Sequence, residues 1–77
     1  MNDRDFMMHP ANWPETSFWS KRIYLKRGKD DLAQLAYLKG RYAFVQESSP
    51  FTPNMDTLEW GDGKLIDKII SNGWLVD

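Results

Sequence analysis

The chain has 77 residues, a formal net charge of −1, no cysteine, and four tryptophans, three tyrosines and four phenylalanines. A chain this short buries only about 60% of its unfolded surface, so there is room for one small core, and without cysteine neither disulfides nor thiolate metal sites can staple it. The balanced charge excludes a globally basic nucleic-acid binder; no apolar run reaches the ~18 residues of a membrane helix, and the N-terminus lacks a basic-then-apolar signal, so the expected setting is the cytoplasm.

Residues 1–12 read as a loosely ordered arm, because Met1 to Met8 are polar and methionine-rich with neither a helical nor a strand period. Asn12-Trp13-Pro14 keeps Trp13 out of the helical region, since the proline ring clashes with a helical residue before it. The simplest use of this arm is to lay Trp13, Phe18 and Trp19 across a sheet.

The stretch from Arg22 to Gln46 organises the rest. Ile23 and Leu25 alternate with Arg22, Tyr24 and Lys26, the period of two that predicts a strand with one buried face. Gly28 marks a reversal. Leu32 to Leu38 supports two readings. As a helix, Leu32, Leu35 and Ala36 form a stripe, with Asp30 and Asp31 at the favourable end of the dipole and Gly40 as cap. As a strand, it pairs with Arg41–Gln46 through Lys39-Gly40, stacking Leu35 and Tyr37 beside Phe44 and Tyr42. Lys39 counts against the strand, because two-residue hairpins favour Asn-Gly or Gly-X. The loose echo of Tyr24-Leu25-Lys26-Arg27-Gly28 in Tyr37-Leu38-Lys39-Gly40-Arg41 favours it.

Glu47 to Asn54 reads as a loop, with Pro50 and Pro53 against helix and central strand and Phe51 as a plug at the core edge. Leu58 and Trp60 form a short extended piece. Leu65, Ile66, Ile69 and Ile70 then predict a helix capped by Asp62 and ended by Asn72-Gly73. Trp74-Leu75-Val76 follows as a short C-terminal strand or plug. The predicted fold is therefore a single α+β domain over 1–77: a small antiparallel three-stranded meander packed by one C-terminal helix. The alternative has residues 31–39 helical in a βαβα-type arrangement.

No catalytic, cofactor or metal motif emerges. His9 stands alone beside a proline, and the acidic residues from Asp56 to Asp67 lack the alternation of a calcium loop. Gly61-Asp62-Gly63-Lys64 opens a helix without phosphate-loop spacing, and Asp62 would repel an anion. The expectation is a protein that is not an enzyme and has no cofactor or metal.

Charge is segregated. Residues 21–41 carry Lys21, Arg22, Lys26, Arg27, Lys29, Lys39 and Arg41 against Asp30 and Asp31, a balance of +5; residues 47–77 carry a balance of −4. Trp, Tyr and Arg are the types enriched at binding hot spots. They point to an accessory or inhibitor-type module docking on a larger protein through Trp13, Trp19, Arg22, Tyr24, Lys26, Arg27, Lys39 and Arg41. In length and lack of a catalytic motif the chain looks like accessory proteins of phages. Two alternatives are nucleic-acid binding by the basic 21–41 meander and self-association through sheet edges.

Overall fold

Ile23 and Leu25 turn inward, and Arg22, Tyr24 and Lys26 turn the other way: this alternation builds one wall of the molecule. The computed structural model describes residues 2–14, 21–49 and 52–77. Phe18, Trp19 and Phe51 lie outside the described residues.

Strands β1 (Lys21–Arg27), β2 (Asp31–Leu38) and β3 (Arg41–Ser49) form an antiparallel meander. The 31–39 segment is thus strand rather than helix. The reason is pairing on both sides: Ala33, Leu35 and Tyr37 stand opposite Leu25, Ile23 and Lys21 in β1 and opposite Gln46, Phe44 and Tyr42 in β3. A central strand fully buries Ala33 and Leu35, a gain that outweighs the local helical stripe. The β2–β3 reversal is the two-residue turn at Lys39-Gly40, with φ of 53° and 79°. Left-handed backbone at both positions matches the right-handed twist of the flanking strands.

Three short strands extend the sheet: β4 (Thr52–Pro53), β5 (Glu59–Gly61) and β6 (Leu75–Val76). The order is β4-β3-β2-β1-β6, with β5 also on β3. Tyr42–Phe44 pairs with β5, and β3 then shifts register between Glu47 and Ser49 to meet β4. Between them, Gln46 donates its N–H to Thr57 Oγ1 (2.8 Å), and its carbonyl accepts from Asn54 N (2.7 Å), so no ladder group is orphaned there. The loop expected over 47–54 is therefore partly strand. Pro53 fits because it lies in the sheet's edge strand, where no ladder N–H is needed.

Helix α2 (Gly63–Ser71) follows its sequence signals. Asp62 accepts from Lys64 N at 2.9 Å, Leu65, Ile66 and Ile69 are buried, and the helix stops at Asn72 before Gly73, whose φ is 89°. Its start hugs β5: a Cβ at Gly61 would lie 3.0 Å from Leu65 Cβ. The N-terminal segment corrects the expected loose arm. Residues Asp3–Met7 form α1, capped by the Asn2 side chain accepting from Asp5 N at 2.8 Å, and Met7 is fully buried. Five residues are too few to show a helical period in sequence.

The core lies on one side of the sheet. Met7, Trp13, Leu65, Ile66, Ile69 and Trp74 pack against Ile23, Leu25, Ala33, Leu35, Tyr42 and Phe44. Both helices sit on this side, giving two layers and one core.

Candidate docking face

The register places a defined grid on the other side of the sheet. Arg22, Ala36, Ala43 and Trp60 form one row across β1, β2, β3 and β5. Tyr24, Gln34 and Val45 form the next, and Leu75, Lys26 and Leu32 the one after. Leu38 and Arg41 stand at the turn end. Glu47, two residues beyond Val45, stands at the opposite end of β3.

Three large hydrophobic side chains of this face remain open: Tyr24 is 41% exposed, Trp60 47% and Leu75 51%. Each exposed ring has a guanidinium beside it, Arg22 at 5.8 Å from the Tyr24 centroid and Arg41 at 5.8 Å from that of Trp60. A polar chain crosses between them. Arg22 Nη1 donates to Gln34 Oε1 at 3.2 Å, and Gln34 Nε2 donates to Glu47 Oε1 at 3.1 Å. These bonds let an amide only 7% exposed sit mid-sheet, although Arg22 Nε is buried with no acceptor. Lys26 faces Asp77 at 3.9 Å. A cavity of about 290 Å³ opens beside Tyr24, Leu32, Glu47 and Asp77.

Charge on the face is two-signed, with Arg22 and Arg41 toward the turn end and Glu47 and Asp77 toward the other. Among the described residues, neither Arg22 nor Arg41 has a carboxylate within ion-pair reach. The opposite charges of the two chain halves meet in one described pair from the basic stretch, Lys26 with Asp77. The helical side is internally paired by contrast, Arg4 with Asp67 at 2.8 Å and Lys68 with Glu59 at 2.9 Å.

Of the eight residues singled out in the sequence, Arg22, Tyr24, Lys26 and Arg41 share this face, and Lys39 projects from the turn at its end. Trp13 belongs to the core instead. It is 3% exposed, its ring centroid lies 6.1 Å from that of Tyr42, and its indole N–H donates to the Phe6 carbonyl at 2.7 Å. A small core without cysteine needs that ring inside. Arg27 points to the core side, over the Trp74 ring at 4.5 Å and bonded to Asp31 at 3.0 Å. Trp19 lies outside the described residues.

Trp60 and Leu75 were missed as surface groups. The alternation that exposes Tyr24 could have flagged Leu75, flanked by Trp74 and Val76, but two-residue strands carry too little pattern. Among the described residues, no three His, Asp or Glu side chains gather as a metal-ligand set, and no helix is long and apolar enough to cross a membrane. His9 Nδ1 lies 2.7 Å from the Asp5 carbonyl at the end of α1. Compared with protein-family models, curated proteins and solved structures, the chain matches none.

Proposed function

We propose that this chain is a non-catalytic, cofactor-free binding module of the cytoplasm that docks on a larger protein through the sheet face opposite its helices. One observation carries the reading: Tyr24 and Trp60 stay 41% and 47% exposed, each beside an arginine, in a chain that buries Trp13 and Trp74. Trp, Tyr and Arg dominate binding hot spots because they bring large contact area and hydrogen-bonding tips to one spot. Ala36 and Ala43, with side chains of a single methyl, lie between the two pairs in the same row.

The test is capture from nuclease-treated lysate with mass spectrometry, comparing the wild type with Tyr24→Ala/Trp60→Ala. Both changes are on exposed rings, so the variant is expected to fold and to lose the captured protein. Retention of the same partner by the variant would sink the reading.

The two ring-and-guanidinium pairs also suit stacked bases of single-stranded nucleic acid. The −1 net charge and the carboxylates of Glu47 and Asp77 on the face weigh against it. Phosphate binding would weaken steeply with salt, whereas an aromatic-centred protein contact weakens modestly.

A further inference from the structure

We infer that the protein partner of this face, in the free protein, is a second copy of the chain, the two sheets packing face to face about a two-fold axis. The inference rests on the reading of the face as a protein-docking surface, and a larger partner would take the place of one copy.

The argument is the self-complementarity of the grid. A two-fold interface sets each residue against the position that mirrors it across the axis. Let the axis run across the strands, in the interface, between the Arg22–Ala36–Ala43–Trp60 row and the Tyr24–Gln34–Val45 row. Arg41 of one copy then meets Glu47 of the other, and Leu38 meets Leu32. Ala43 meets Val45, small against branched, and Arg22 meets Tyr24. Gln34 meets Ala36 beside the axis, an amide against a methyl; the other pairs are of matched chemistry, and each occurs twice. Placing the axis along β2 instead sets Glu47 against Lys26, which already faces Asp77, and sets Arg41 against no described residue, so the axis across the strands is the one that answers the charge of Arg41.

Size and shape agree. The molecule measures 28 × 26 × 20 Å, and its broad sides are of the order of the ~800 Å² per partner that a stable interface covers. Aligned sheets pack about 10 Å apart at about 30°, so the pairs nearest the axis hold register best. The charges also answer one another. Arg41 has no carboxylate in reach within its own chain among the described residues, and Glu47 supplies one from the second copy. Lys26 already faces Asp77 and adds no unmatched charge.

The test is light scattering after size exclusion over a concentration series. It uses the full chain, Arg41→Glu, Glu47→Arg and the double exchange, each checked for fold by circular dichroism. The wild type is expected to move from 9.1 kDa toward twice that mass as concentration rises. Each single reversal is expected to weaken association at least tenfold, and the double exchange to restore it. Because Glu47→Arg also disturbs Gln34, Leu38→Glu serves as an independent variant at the turn end and is expected to keep the chain monomeric. A wild-type mass that stays at 9.1 kDa throughout overturns the proposal. So does a dimer indifferent to both Arg41→Glu and Leu38→Glu, or a double exchange that fails to restore association. If the wild type stays monomeric while Tyr24→Ala/Trp60→Ala still abolishes capture of a lysate protein, self-association falls and the docking face stands.

Discussion

The guanidinium of Arg27 lies 4.5 Å from the centre of the Trp74 ring, and that ring meets Phe44 edge-on at 5.5 Å. This stack closes the core where the last residues of the chain return to β1. Arg27 also bonds Asp31 at 3.0 Å and reaches the Asn72 carbonyl at 3.5 Å. One side chain therefore ties the β1–β2 turn to the end of α2.

The stack should show as energetic coupling. An arginine over an aromatic ring contributes about 0.5–1 kcal/mol where partly exposed, and the half-exposed ion pair with Asp31 adds little. Arg27→Met keeps the stem and is expected to cost about 1 kcal/mol in urea denaturation. Trp74→Ala removes a buried ring and is expected to cost about 3–5 kcal/mol. In a double-mutant cycle of Arg27→Met with Trp74→Leu, the coupling should be about 0.5–1 kcal/mol. Strict additivity would show that the stacked geometry contributes nothing.

Lys39 is the one described non-glycine residue with positive φ, at 53°. The hairpin needs that backbone, and a lysine there is strained where asparagine or glycine would not be. Lys39→Asn and Lys39→Gly should each raise stability by about 0.5–1 kcal/mol, or roughly 4 °C in melting temperature. If both lower it, the Lys39 ammonium makes a contact that the turn geometry does not reveal.

The same turn shows what the sequence could carry. β1, α2 and its caps were legible because each repeats its period several times within its own length. The 31–39 segment was ambiguous because its apolar residues satisfy both periods; what decides it, burial between β1 and β3, is not local information. α1, β4 and β6 were illegible as elements because five or two residues hold no period, and they exist through what they touch. The candidate docking face was half visible. Alternation in β1 put Arg22, Tyr24 and Lys26 on one side, but bringing Trp60 into the Arg22 row takes two strand pairings between β1 and β3 and a third onto β5. Trp13 keeps the extended backbone that Pro14 imposes, with φ of −80° and ψ of 150°, and still goes inside, because a small core without cysteine needs its ring.

β6 would present a raw sheet edge, and Asp3 covers it: its carboxylate accepts the Val76 N–H at 3.2 Å, while Asp77 N donates to the Tyr24 carbonyl at 3.0 Å. Unpaired edges recruit other strands. Asp3→Ala is expected to cost about 1 kcal/mol and to speed hydrogen exchange at Val76 more than at Leu25. Asp3→Asn, whose side chain can still accept, should lie between. Equal exchange at Val76 in wild type and Asp3→Ala would show that the cap does not hold the strand.

Tyr42 ties stability to alkaline pH. Its phenol is pushed above its ordinary value of 10.0, chiefly because burial disfavours the phenolate and secondarily because Tyr37 would place a second negative charge nearby. The two rings lie 5.0 Å apart, centre to centre. The unfolded chain gives up this proton more readily than the folded one, so the stability it contributes is fully present below pH 10.0 and is lost as pH climbs through the raised folded value. Tyr42→Phe has no proton to lose. In urea denaturation at steps from about pH 8 to about pH 11, the wild type should lose more stability than Tyr42→Phe, with the two curves parallel below about pH 9. Curves that stay parallel across the whole range would mean that the Tyr42 hydroxyl is hydrated in the folded protein.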